Sequence, residues 1–351
     1  MALLDPVDRD HALSPANDSE LLFYRMTSDT PLRLDCQGQA LPGLAKSWDK
    51  DSTGRVWTLT LNDEARRYDG SSMTAHDVAA AWNERKAVDG SMPLQSAVAL
   101  DDRRISVTLR GPQDSVPRLL ADPAFSLAIE PTQPSGVKFE PQAGMDPRDA
   151  LDRGADLVVT RDPALVDYMA GRPEFTTFPL PWSRTYVLVQ PAEARAIDMG
   201  GDADRRSLAR DAVSADARAA EPPFWWSEAA ACSTRLASGP TPGSSRVAYI
   251  RGDEVARGLA ERIVALAGSG TPLKAAALEP ADFAALLRTG SDRAYVVPLP
   301  RHTLVPCRGS AAWPDGARVQ PLIDTRAHAI VRKGAPPLTV EWDGTVRVVP
   351  R

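Results

Sequence analysis

The side chains with chemistry to offer are few and far apart in this sequence. Its four histidines, His11, His76, His302 and His328, fall in no metal-ligand spacing such as H-E-x-x-H. No G-x-S-x-G elbow is present, and no glycine pattern of the Walker or Rossmann kind. The three cysteines, Cys36, Cys232 and Cys307, are odd in number, so at least one thiol is unpaired. Carboxylates are plentiful, but no spacing sets two of them up for acid–base work. Nothing here supports catalysis, a metal or a bound cofactor. What remains is recognition chemistry. Arginine presents a planar fork that can hold a carboxylate bidentately. Tyrosine and tryptophan join an apolar ring to a polar tip.

Composition sets the frame for those residues. A length of 351 residues is that of about two domains. A hydrophobic share of 43% and a charged share of 25% are ordinary for a globular protein. A net charge of −5 argues against a nucleic-acid partner, which would favour a basic face. No run of about 18 apolar residues exists to cross a bilayer as a helix. The opening residues MALLDPVDRDHAL have neither a basic n-region nor an apolar h-region, so no export signal is expected within them.

The elements that must position any site are legible along the chain. Trp57, Leu59 and Leu61 alternate with Val56, Thr58 and Thr60, the period-two pattern of a strand. Asp69-Gly70 is turn chemistry. Thr74 can cap the helix that follows, with Asp77 placed where a carboxylate favours a helix N-terminus. Val78, Trp82 and Arg85 then recur at helical spacing. Ile105, Val107 and Leu109 give a second alternating strand. Further on, Asp156–Thr160 reads as a strand and Asp162-Pro163 as a helix start with proline at the first helical position. Asp204–Ala219 reads as a helix with Leu208, Ala212 and Val213 in its apolar stripe. A strand at Arg246–Ile250, a helix capped by Asp253, a strand at Leu273–Ala277, a helix at Pro280–Arg288 and a strand at Ala294–Leu299 imply parallel strands with right-handed crossovers. Asp343-Gly344 between Val340, Trp342 and Val346, Val348 signals a β-hairpin.

The stretch from Leu41 to Lys86 carries more than elements. Leu44, Ala45, Ser47 and Trp48, then Trp57 to Leu61, then Asp69, Gly70, Thr74, Ala75, Asp77 and Val78 follow one another in an order that resembles the bacterial extracellular solute-binding proteins of family 5. These include the oligopeptide-, dipeptide- and nickel-binding subunits of ABC importers. The resemblance implies an α/β, two-lobed periplasmic binding protein fold (type II-like), with mixed sheets and a hinge of two crossover strands. The expected boundaries are 1–190 for the first part of lobe I, 191–295 for a smaller α/β lobe II, and 296–351 for the return to lobe I. The chain departs from the family pattern at Ser135-Gly136-Val137-Lys138, where a longer segment is usual. This reads as a shortening of the first lobe.

The same resemblance implies a function and a site. The expected role is capture of a peptide or another small solute in the inter-lobe cleft, delivered to a membrane ABC permease. No enzymatic activity, no metal, no cofactor and no nucleic acid are expected, and a monomer is. An alternative is a shortened relative that senses a ligand or binds a protein without transport. The location implied is periplasmic or a cell-surface lipoprotein, with the export signal outside this sequence. Residues flanking the crossovers are the expected ligand contacts: Trp182, Arg184 and Tyr186 on the first, Arg301 and His302 after the second. Arg184 and Arg301 would clamp a carboxylate. Tyr24, in an element that lies near the cleft, and one of Trp225 and Trp226, adjacent after a double proline, join them. Peptide-binding members usually carry an acid after the second crossover. Val297-Pro-Leu-Pro-Arg-His-Thr has none, which favours an anionic or uncharged ligand. A Cys36–Cys307 bridge and free thiols both remain open.

Overall fold

The computed structural model describes residues 1–8, 12, 15, 17–67, 70–88, 92–110, 116–128, 138–192, 194, 196–197, 207–208, 212–213, 215–220, 233–234, 245–267, 272–301, 313–314 and 316–348. In chain order the helices are α1 (Asp18–Thr27), α2 (Ala75–Val88), α3 (Pro163–Ala170), α4 (Glu254–Leu266) and α5 (Pro280–Thr289), leaving aside shorter turns. The strands that build the sheets begin with β1 (Ala45–Lys50), β2 (Val56–Leu61), β3 (Leu94–Ala99) and β4 (Arg104–Leu109). Next come β5 (Leu157–Thr160), β6 (Phe175–Pro179), β7 (Arg184–Gln190), β8 (Ala217–Ala219), β9 (Arg246–Ile250) and β10 (Lys274–Leu278). The last are β11 (Ala294–Pro300), β12 (Arg318–Thr325), β13 (His328–Arg332), β14 (Leu338–Val340) and β15 (Val346–Val348).

The first sheet is antiparallel in the order β1-β2-β4-β3. Trp57, Leu59 and Leu61 face its core with Ile105, Val107 and Leu109, and α2 covers that face through Val78 and Trp82. The Trp82 indole N–H donates to the Phe125 carbonyl at 3.0 Å, which removes the cost of burying it. Thr74 and Asp77 bond each other at the start of α2: Asp77 Oδ2 accepts from the Thr74 backbone N–H at 2.9 Å, and Thr74 Oγ1 accepts from the Asp77 N–H at 3.3 Å. This is a reciprocal capping box. Strand β3 is an edge, yet Asn83 of α2 takes up both polar groups of Ala97, donating to its carbonyl at 2.7 Å and accepting from its N–H at 3.1 Å. An edge so engaged offers less to a second chain.

A small sheet in the order β5-β13-β6 joins a residue segment near 157–179 to one near 328–332, far apart in sequence. The hairpin β14–β15 closes the chain, with Gly344 at φ 86° in its turn. Its charged residues are buried against α1. Arg25 Nη2 lies 2.9 Å from Asp343 and 3.3 Å from Glu341, and Arg347 pairs with Glu341 and with Asp29. The cluster holds the end of the chain on its beginning.

The largest sheet runs β8-β12-β7-β11-β9-β10. Strands β9, β10 and β11 are parallel to one another, as the alternating helices imply, while β7 runs antiparallel to both β11 and β12. Alternate residues of β7 feed two cores. Tyr186 and Leu188 pack toward Leu259 and Ile263 of α4, whereas Val187 and Val189 pack toward Phe283 and Leu287 of α5. Asp253 caps α4 by accepting from the Ala256 N–H, and Gly290 ends α5 in the left-handed region at φ 66°.

The expected limits at 190/191 and 295/296 fall at the end of β7 and within β11, which pair with each other in this sheet. Side-chain alternation cannot say which sheet a strand joins. One expectation is corrected by this sheet. The end of the segment read as a helix to Ala219 is strand β8, paired with β12 from Ala217↔Thr325 to Ala219↔Ile323. The open edge of β12 supplies backbone partners that outweigh local helical preference. Leu208, Ala212 and Val213 do pack on the core as the stripe predicts.

Candidate functional site

The chain passes between the two groups of sheets twice, at Leu180–Ser183 and at Thr325–Ala327, and Trp182, Arg184, Tyr186 and Arg301 of the expected ligand residues lie beside these passages. Arg184 opens β7 and is the ladder partner of Pro300 on one side and of Thr325 on the other. Its guanidinium is surrounded by acids contributed by separate elements. Burial would depress its pKa, but the Tyr186 hydroxyl, Asp18 and Asp253 offset that and hold it above the ordinary arginine value. No carboxylate forms an ion pair with Arg184 among the described residues. Tyr186 is buried and donates to Asp253 at 3.0 Å from each carboxylate oxygen. Burial, then the Asp253 charge, pushes its hydroxyl pKa up, so it stays a neutral donor. Arg184 also acts on Asp5, whose carboxyl is raised by burial and by the charge of Asp18, while Ser19 and Arg184 act the other way.

Arg301 is placed beside this group but is already engaged. Its Nη1 lies 2.9 Å from both oxygens of the fully buried Asp324 and 3.3 Å from Thr185 Oγ1. Asp324 also accepts from Arg218 at 3.3 Å and from the Thr185 hydroxyl at 2.6 Å. Of the two arginines expected to clamp a carboxylate, Arg301 thus pairs with a carboxylate of the chain itself. Trp182 lies between two guanidiniums, Arg218 at 4.7 Å and Arg326 at 4.6 Å from its ring. Tyr24 sits in α1, largely buried, with its hydroxyl donating to the Asp8 carbonyl at 2.6 Å. Trp225, Trp226, His302, Cys232 and Cys307 lie outside the described residues. Cys36 is an exposed free thiol that donates to the Val340 carbonyl at 3.0 Å.

Sequence reasoning passed over Asp18, Arg161 and Asp324, which shape this junction as much as the residues it named. Arg161 binds Asp18 through Nε at 2.7 Å and Nη2 at 2.9 Å. It also reaches Ser183 Oγ at 2.8 Å and Thr325 Oγ1 at 3.2 Å. Asp162-Pro163 after it was legible as a helix start, and an arginine just before such a start, at a strand's end, is the one available signal. A small cavity of about 10 Å³, room for one water, lies nearby between Asp18, Leu180, Ser183, Ala327 and Thr345. No group of three or more metal-ligating side chains occurs among the described residues.

Comparison with known proteins places this architecture. The model of the bacterial extracellular solute-binding proteins, family 5, middle region, matches residues 39–155. The periplasmic oligopeptide-binding protein OppA of Escherichia coli K12 is 28% identical, over 26% of this chain and 21% of that protein. The periplasmic murein peptide-binding protein MppA of the same organism is 41% identical over 13% of this chain and 8% of its own length. The chain thus aligns with about a fifth of OppA and less of MppA. Among solved structures, NikA from Brucella suis in complex with Fe(III)-EDTA superposes with a TM-score of 0.65 at 15% identity, covering 100% of this chain and 99% of that one. Haemophilus influenzae OppA in complex with the peptide RPPGFSPFR gives 0.66 at 12% identity, covering 94% and 93%. These likenesses show the two-lobed binding-protein fold. In its segment at residues 39–155 the chain is similar to the bacterial extracellular solute-binding proteins of family 5, and over its length it has the fold of the two-lobed binding proteins.

Proposed function

We propose that this protein is the solute-binding receptor of an ABC importer and takes a small solute between its two lobes. The larger lobe would comprise residues 1–180 and 327–351, and the smaller 184–325. The observation that carries the reading is the Arg184 guanidinium. It stands at the junction of the lobes with no carboxylate of the described chain in an ion pair, and it faces the neutral hydroxyl of Tyr186. A ligand carboxylate would complete it, since a fork that binds two oxygens is better used than a point charge. The role is binding without catalysis, and the chain would act as a monomer with a membrane permease, at the periplasmic side or the cell surface.

A second reading has its own support. Arg301 and Arg161 are committed to Asp324 and Asp18, which leaves fewer free charges for a solute than two clamping arginines would. This fits a relative that senses a ligand or binds a protein without transport. Permease and ATPase genes beside this one would favour import.

A thermal-shift screen with peptides, amino acids, sugars and metal salts tests the binding role. A true ligand raises the melting temperature with concentration, because it binds the folded state alone. Arg184→Leu should abolish the shift for a carboxylate ligand. Absence of a hit in every class would overturn the receptor reading.

A further inference from the structure

The two crossings are unlike the strands on either side of them. On the larger lobe's side, the Leu180 N–H donates to the Ala327 carbonyl at 2.9 Å, continuing the β6–β13 ladder. On the smaller lobe's side, the Ser183 N–H donates to the Thr325 carbonyl at 3.1 Å, and its own carbonyl accepts from Arg301 N–H at 2.8 Å. Between these bonds stand Pro181 and Trp182 on one strand and Arg326 alone on the other. Two residues against one is the count of a bulge. Proline has no N–H to give. Among the described residues no backbone hydrogen bond joins Pro181 or Trp182 to Arg326. This is the one step of the paired crossings where the ladder lapses.

Side chains bridge that gap from both lobes. Arg161, fixed by Asp18 on the larger lobe, donates to Ser183 Oγ and Thr325 Oγ1, the first residues past the gap on each strand. Arg218, from β8 of the smaller lobe, and Arg326 lie on the Trp182 ring at 4.7 and 4.6 Å. Asp216 holds Arg326 at 2.8 Å and lies 3.3 Å from His328 of β13, on the larger lobe. Each contact would have to be broken or remade if the lobes turned about the gap, and a cation over an aromatic face is held by the ring's electrostatics.

We infer that Arg161 and the Arg218–Trp182–Arg326 stack latch the two lobes at one angle across the gap at Pro181–Trp182 and Arg326. Trp182 is on this view a hinge wedge, and its ring is used by the chain itself. The inference rests on the fold and on these contacts, not on any ligand, so a failed ligand screen leaves it standing.

The test measures the distance between the lobes in the full chain. Spin labels at Glu64→Cys and Glu261→Cys, both exposed positions on opposite lobes, are read by double electron–electron resonance with the native cysteines replaced by serine. Ser183→Ala with Thr325→Val removes the two acceptors of Arg161 and little else. Arg326→Ala removes half of the stack. Each should at least double the width of the distance distribution, while the amides of Leu180, Ser183 and Arg301 keep their protection from hydrogen exchange. Thr58→Ala, a site in the β2 strand, should leave the width unchanged. An unchanged width in both hinge variants overturns the latch. Widening accompanied by loss of protection at those three amides also overturns the latch, because the strands would then be fraying rather than turning. Should Arg326→Ala fail to fold, the hydroxyl variant decides alone.

Discussion

Both carboxylate oxygens of Asp324 lie 2.9 Å from one nitrogen of Arg301. The acid comes from β12 and the base from the end of β11, strands that flank β7 on opposite sides. The pair therefore reaches across β7 and ties three strands where they leave the smaller lobe. Arg301, expected as a ligand contact, thus has a carboxylate of the chain itself as a partner.

Asp324→Asn should be strongly destabilising. The acid is fully buried and accepts from Arg301, Arg218 and Thr185. Removing one partner of a buried pair strands the other charge, at a cost of roughly 3–5 kcal/mol. Because both arginines keep some solvent, about 3 kcal/mol is expected. Urea denaturation would read it as a lower midpoint at unchanged slope. A loss below about 1 kcal/mol would mean the arginines re-pair with water at no cost.

Asp77 links the first lobe to pH. Hydrogen bonding from Arg67, then from Thr74, against some burial, brings its carboxyl down to about 2. The folded value lies below the unfolded value of 3.8. The stabilisation is thus complete above 3.8 and is lost as pH falls through about 2. Asp77→Asn should flatten stability over that window and leave its slope near neutral pH unaltered, as melts taken between pH 2 and 5 would record.

His328 acts with the same sign at higher pH. Burial lowers its pKa from 6.5, with Arg326 and Arg161 acting in the same direction and Asp216 against them. The unfolded chain takes up the proton first, so stability is complete above 6.5 and declines as pH falls toward the depressed folded value. His328→Gln should remove that decline. A melting temperature that still drops between pH 7 and 5 by the wild-type amount would refute it.

Asn83→Ala should expose the edge of the first sheet. Both polar groups of the buried Ala97 lose their partner. Leaving buried donors and acceptors unmet costs roughly 1–3 kcal/mol, and the freed edge can pair with another chain. Lower stability together with concentration-dependent light scattering is the expected outcome.

Gly258 reverses a general rule. Alanine is ordinarily better in a helix interior by about 1 kcal/mol. Here a Cβ would stand 2.3 Å from the Ala212 carbonyl oxygen, a backbone atom. Gly258→Ala should therefore destabilise, and a gain in thermal stability would show that the segment at Ala212 yields freely.

What the sequence by itself determined was local. The alternation of Trp57, Leu59 and Leu61, the cap at Thr74, the cap at Asp253 and the turn at Gly344 all depend on neighbours within a few residues, where side-chain spacing and backbone freedom decide. The order of residues from Leu44 to Val78 also carried the family resemblance. The tertiary structure alone decided which sheet each strand joined, since β7, β11 and β12 look the same whichever neighbours they find. It decided, too, that Arg301 meets Asp324, that Arg161 meets Asp18, and that Trp182 is enclosed by Arg218 and Arg326. Those partners lie 23 to 144 residues apart, and an arginine's charge says nothing about which acid it will meet. Pairing at that range is set by how the sheets pack, and so Arg184 stands out as a candidate anchor only once the acids around its neighbours are accounted for.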